Sequence, residues 1–364
     1  MSTLAKSGIL SLEPIYSYIG RYRFALLLSL FFGVLIYSLG HGAVTISAVE
    51  IFAIIAQSLG FDLGLEYPPQ YEVILYSIRF PRILLAVLVG ASLSVAGASL
   101  QALFRNPLAD PGLIGVSSGA AVAAAATIVL GNLLFGGLPT EVRPFLLPLS
   151  AFAGGLITSL IIYRIGCING KTYVATMLLA GIAINAITSA MIGLLLFLSN
   201  DQQLRDITFW MMGSLSRNTL SGVLPTLPFF LVPLIALPTL AKQLNIMALG
   251  EATAGNLGLN TEAVKLSVIL FSSLAVGASV ALTGIIAFVG LVVPHLTRFI
   301  MGPDNRSLLP SSMIIGATLL LIADALARTL VTPAELPIGI ITSCIGGPFF
   351  LWLLVKKRDL MVQS

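Results

Sequence analysis

Few residues in this chain could do chemistry, and their spacing argues against most of the chemistry their types suggest. The string GCINGKT at 166–172 has the glycines, lysine and threonine of a phosphate cradle, but three residues separate its first glycine from the Gly-Lys pair. A nucleotide-binding loop needs four, so that successive backbone N–H groups can wrap a phosphate, and it follows a strand; here an apolar run precedes it. Energy for any uphill work must therefore come from another chain or from an ion gradient. Cys167 and Cys344 lie far apart with no C-x-x-C spacing, and His41 and His295 are equally isolated. Neither a disulfide framework nor a metal site is expected, and the cysteines read as small apolar fillers.

An ion-coupled carrier places a carboxylate or histidine within the bilayer, where its cost marks it as functional. The apolar runs of this chain are nearly bare of such groups. Asp324 is the exception, and Arg328 follows it by four residues, the spacing of a local helical ion pair.

The elements that must position these residues are membrane helices. The chain has 364 residues, 57% hydrophobic and 9% charged, with a mean hydropathy of +1.01, so its solvent is mostly lipid. Apolar runs occur at about 24–40, 83–104, 113–135, 145–163, 174–198, 223–241, 266–282, 284–297, 308–327 and 337–355, ten candidate spans. The run at 24–40 is long for a signal-peptide core and is expected to remain as the first span. Residues 46–60 carry Glu50 and are too short to cross comfortably, so they are expected to form a surface helix.

Ten spans put both ends of the chain on one side. With the termini in the cytoplasm, most cations fall in inner segments, from Lys6, Arg21 and Arg23 to Lys356, Lys357 and Arg358. Arg79, Arg82, Arg143, Arg205, Arg217 and Arg328 remain outside, against the positive-inside trend. VGASLSVAG at 89–97 reads closely like VGASVALTG at 276–284, an offset of about half the chain. Two five-span halves, about 1–205 and 206–364, are implied; five being odd, the second is inverted. The long inner segment at 241–265 reads as two short helices joined by a glycine turn, a structured insertion suited to docking a partner.

Four strings carry a family resemblance. They are RFPRILLAVLVGASLSVAGASLQALFRNPLADPGLIGVSSGAA (79–121), MALGEATAGNLGL (247–259), GIIAFVGLVVPHLTRFIMGPDNRSLLPSS (284–312) and ADALARTLVTPAELPIGIITSCIGGPFFLWLL (323–354). In this order they resemble the iron-chelate, haem and cobalamin permeases of ABC importers, the FecCD type, over about 79–358.

The resemblance implies an all-α membrane protein with the type II ABC importer permease fold, a single permease domain that works as a homodimer in the bacterial inner membrane. It implies two cytoplasmic ATPase subunits, which bind ATP and magnesium, and a periplasmic substrate-binding protein. No cofactor on this chain and no nucleic-acid partner are expected, and lipid surrounds it. Leu249, Gly250, Glu251, Ala254, Leu257 and Gly258 match the segment that couples to the ATPase. Asn106, Leu108, Val174 and Ala175 match the cytoplasmic gate, and the path between subunits would be lined by the fifth and tenth spans. Arg79, Arg82 and Arg328 fall where binding proteins dock through surface glutamates. The implied function is ATP-driven import of a ferric chelate, haem or a ferric siderophore, with cobalamin as the alternative within the family. An ion-coupled secondary carrier is the alternative outside it.

Overall fold

The computed structural model describes residues 13–42, 44–137, 139, 141–216, 218–331 and 334–362. Lys6 and Arg217 lie outside these residues, as do the side chains of Arg21, Lys357 and Arg358. The helices in chain order are α1 (Glu13–Gly40), α2 (Ala48–Ser58), α3 (Pro69–Leu103), α4 (Val116–Phe135), α5 (Arg143–Gly166), α6 (Val174–Leu198) and α7 (Asp201–Met211). They continue as α8 (Leu220–Thr239), α9 (Ala241–Ala248), α10 (Glu251–Asn256), α11 (Thr261–Thr283), α12 (Val289–Met301), α13 (Asn305–Thr329) and α14 (Ile338–Val362). Between α5 and α6, β1 (Cys167–Ile168) and β2 (Lys171–Thr172) form a two-stranded antiparallel hairpin.

Each of the ten expected apolar runs contains a helix, because in hydrocarbon only intrahelical bonding satisfies every backbone amide. Eight of them are long and apolar enough to cross a membrane: α1, α3, α5, α6, α8, α11, α13 and α14. The 20-residue α4 and the 13-residue α12 occupy the third and eighth positions. At 1.5 Å per residue α12 is only about 20 Å long. The sequence reads 284–297 as one uninterrupted run, but the helix starts at Val289 and runs to Met301. Gly284 and Phe288, at either end of the break, have φ of +72° and +68°. The 11-residue α2 is too short to cross, as expected, and is closed by a capping box between Ser47 and Glu50.

The centre of the bundle is α3, buried over 89% of its most apolar window. It packs against α8, α11, α12 and α13, and small residues let those backbones approach. A Cβ on Gly90 would collide with the Gly316 carbonyl of α13, and one on Gly97 with the Gly290 carbonyl of α12. After a first α-helical turn, Pro69–Val73, the helix passes through a π-helical stretch, Ile74–Arg79, just before Pro81, where the missing N–H already interrupts the α-helical ladder.

The two repeat strings lie on α3 and at the end of α11, which pack together. The helices that follow them share a further feature: α4 and α12 each start after a left-handed residue, Gly115 and Phe288.

At one end of the bundle, the ends of α7 and α11 and the start of α14 meet backbone to backbone. Ser214 N–H donates to Thr283 O at 2.7 Å, Ile338 N–H to Gly213 O at 3.1 Å, and Gly339 N–H to Met212 O at 3.0 Å. Gly213, Gly284 and Gly339 each have a carbonyl oxygen where a Cβ would go.

Candidate coupling, gate and docking sites

At the opposite end, the segment 241–265 forms two short helices joined at a glycine, as its sequence suggests. The α9 helix ends before Gly250 (φ +108°), α10 ends before Gly258 (φ +83°), and Asn260 caps α11 by accepting from Ala263 N–H at 3.1 Å. These φ values favour glycine, since a Cβ is strained there. Ala254 is fully buried and anchors α10, whereas Leu249 and Leu257 are 65% and 63% exposed. A Cβ at Gly255 or Gly258 would meet nothing within 4 Å. The segment thus presents two leucines on a bare, open surface.

The base of this projection is held by amide bonding. Asn245 on α9 donates to Asp304 Oδ1 at 2.6 Å and accepts from Asn305 N–H at 3.0 Å and from its amide at 2.8 Å. Desolvation pushes the Asp304 carboxyl up, but the Arg306 N–H, the Asn245 amide and the Arg306 charge outweigh it, and its pKa lies below the usual range.

Glu251 is not a free carboxylate. Its Oε1 accepts from Lys265 Nζ of α11, which also donates to Glu262 Oε1 and to Thr172 O, both at 2.9 Å. Val174 and Ala175 of the expected gate, at the start of α6, line a cavity of about 280 Å³ together with Arg105, Met247, Glu251 and Lys265. The structure therefore brings half of the expected gate and a residue of the expected coupling segment to one cavity. Asn106 and Leu108 lie beyond the cavity wall, in the turn that follows α3. There Asn106 N–H donates to Gln101 O at 3.1 Å, and Asn106 Oδ1 accepts from Leu108 N–H at 2.9 Å.

The three arginines expected to dock a binding protein do come together, at the other end, but they are not free surface charges. Arg79 and Arg82 are 3% and 6% exposed. Arg79 donates to the carbonyls of Leu39 and Val44. Arg82 Nε reaches Asp324 at 2.8 Å and its Nη1 reaches Glu335 at 2.9 Å. Arg328 pairs with Asp324 at 3.1 Å, the expected helical pair, and donates to Ser38 Oγ at 2.9 Å and His41 O at 3.1 Å. The cluster ties the end of α1 to α3, α13 and the approach to α14. Sequence spacing could not reveal it, since Asp324 and Glu335 stand 242 and 253 residues from Arg82.

A bundle of membrane-length helices that projects an open two-helix segment beside a cavity at one end is the build of a transporter's membrane subunit. The chain belongs to the FecCD transport family, whose model matches residues 27–356. Its family members here are ABC transporter permeases, transport components rather than enzymes, and this sets aside the ion-coupled carrier. The chain is 47% identical to the hemin transport system permease of Yersinia pestis, over 78% of its own length and 83% of that protein. It is 42% identical to the cobalamin import permease of Halobacterium salinarum, over 82% of its length and 76% of that protein. Its fold superposes on an inward-facing structure described as a metal-chelate type ABC transporter, with a TM-score of 0.79 at 32% identity over 92% of this chain and 98% of that one. The fold is that of a type II ABC importer permease.

Proposed function

We propose that the chain is one half of a homodimeric permease that imports haem or a ferric siderophore from periplasm to cytoplasm, with both termini cytoplasmic. In this reading two ATPase subunits, carrying ATP and magnesium, drive it from the coupling end. The observation that carries the reading is the projection of Leu249 and Leu257 from a glycine-turned segment whose Glu251 lines the same cavity as Val174 and Ala175. A segment so placed can pass a movement of an outside partner to the path itself.

The ferric-chelate choice is supported by the hemin permease of Yersinia pestis, more similar to this chain than the cobalamin permease of Halobacterium salinarum. The fifth and tenth spans, α6 and α14, are buried over only 17% and 28% of their apolar windows, which leaves them free to face a partner subunit as well as lipid. Binding-protein docking is proposed in a narrower form than three free arginines: the Arg328 side chain is only 8% exposed, and an incoming glutamate must compete with Asp324 for it.

Reconstitution with the ATPase and binding protein encoded beside the chain tests the substrate directly. ATP-dependent uptake of haem or a ferric siderophore into vesicles is expected, insensitive to an uncoupler. Uptake of cobalamin alone would replace the chelate assignment.

A further inference from the structure

Lys265 sits at the start of a span on the coupling end, where a lysine ordinarily stretches its ammonium to water. It does the reverse. It is 1% exposed, among the largest fully buried side chains of the described residues. Each of its three ammonium protons has an acceptor on a different element: Glu262 on its own helix, Thr172 O on β2, and Glu251 at the start of α10. The clamp on Thr172 is two-sided, because Thr172 N–H donates to the second oxygen of Glu262 at 2.9 Å.

That contact gives the string GCINGKT a physical role. It folds as a tight hairpin in which Cys167 pairs with Thr172 and Ile168 with Lys171. Asn169 and Gly170 turn it with φ of +52° and +74°. Asn-Gly is the favoured pair for such a two-residue turn, whose twist matches that of the strands, so the connection is short and stiff. Thr172 lies two residues before α6, whose first residues Val174 and Ala175 line the cavity with Lys265 and Glu251. A rigid path thus runs from α10 through Lys265 to the hairpin and into the gate helix.

The links differ in exposure. The Glu262 side chain is 31% exposed and the Glu251 side chain 47%, against 2% for Lys265. Glu262 is held by both Lys265 and Thr172, while Glu251 reaches Lys265 from the projecting segment that the partner would touch. The Glu251 contact is therefore the one a partner can alter, while the other two keep the lysine attached to the hairpin.

We propose that Lys265 is the positioning residue that transmits movement of the coupling segment to the gate, through its contacts with Glu251 and Thr172. The inference rests on the reading of 247–259 as the coupling segment. Its test is the complete complex with its ATPase and binding protein, reconstituted in vesicles, with Cys167→Ser, Cys344→Ser and Ala175→Cys as the reporter background. Thiol labelling at position 175 is compared between nucleotide-free and ATP-trapped complexes. A nucleotide-dependent change in labelling rate is expected in that background. Lys265→Met should abolish the change while the ATPase stays bound and hydrolyses ATP; Glu251→Gln should abolish it in those complexes that retain the ATPase, and Lys265→Arg should restore part of it. Should Lys265→Met fail to assemble, Glu251→Gln decides, since its side chain is half exposed and loses only its charge. Labelling that still follows nucleotide state in Glu251→Gln overturns the proposal. A Leu249→Asp, Leu257→Asp double variant that keeps its ATPase overturns the coupling-segment reading, and the role of Lys265 with it.

Discussion

Phe288 occupies the space that a side chain at position 346 would need: a Cβ on Gly346 would collide with the Phe288 Cβ and ring. Phe288 is itself left-handed, with φ of +68°, a conformation costly for a bulky residue and held only where packing over-determines it. Replacing Gly346 by leucine should cost about 1–3 kcal/mol, the range for overpacking a close-packed interior. Thermal unfolding in detergent reads this out, and an unchanged midpoint would show that α14 does not seat on Phe288.

The same geometry chooses where to test for the proposed dimer. Position 346 faces its own chain, whereas a Cβ at Gly347 would meet nothing within 4 Å. With Cys344→Ser removing the exposed native thiol, Gly347→Cys should cross-link to its twin under oxidising conditions in native membranes. Monomers only, there and at neighbouring positions, would place α14 away from the dimer axis.

Arg82 and Asp324 form a buried pair, with side chains 8% and 1% exposed. Truncating Arg82 leaves Asp324 with Arg328 and leaves Glu335 half exposed to water, so Arg82→Ala should destabilise the permease by less than the roughly 3–5 kcal/mol of a fully stranded buried charge. Arg328→Glu tests docking, and it should weaken association with the binding protein beyond any loss of stability. If docking is unaltered once stability is accounted for, the cluster is purely structural.

Gly258, at φ +83° with open space around it, tolerates bulk but not the backbone conformation that bulk prefers. Gly258→Trp should still insert into the membrane and should lose ATPase co-purification, because the indole would stand on the surface between Leu257 and the partner. Normal co-purification and uptake would remove Gly258 from the contact.

Asp304 carries a pH dependence. Its folded pKa is depressed, because hydrogen bonds from Arg306 and Asn245 outweigh desolvation. Its contribution is therefore present above the unfolded pKa of about 4 and is lost as pH falls through the lower folded value. Asp304→Asn should be less stable at neutral pH and should lose part of the parent's decline on acidification. Stability curves between the two proteins that stay parallel down to pH 3 would contradict this.

The spans were legible because each apolar run must satisfy its own amides. The two-helix form of segment 241–265 was legible from Gly250 and Gly258, whose backbone angles favour glycine. The break before α12 was not, since Ile285, Ile286, Ala287 and Phe288 are as apolar as the helix they precede; only their tertiary setting stops the helix. The arginine cluster was invisible for another reason: Asp324 signals its pairing with Arg328 at helical spacing, but nothing local joins it to Arg82. The hairpin at 167–172 could have been found, since Asn169-Gly170 is a turn signal once a phosphate loop is excluded.

The backbone crossing at Gly213, Gly284 and Gly339 has a mechanical consequence. It holds the first turn of α14 by main-chain bonds to residues 212 and 213, where no side chain can rotate away. A helix pinned at one tip is a lever. With 25 residues in α14 and 1.5 Å per residue, a tilt of about 5° about that pin sweeps its far tip through about 3 Å. Larger excursions then belong to the tip farthest from the pin, and residues near 339 serve as the fulcrum.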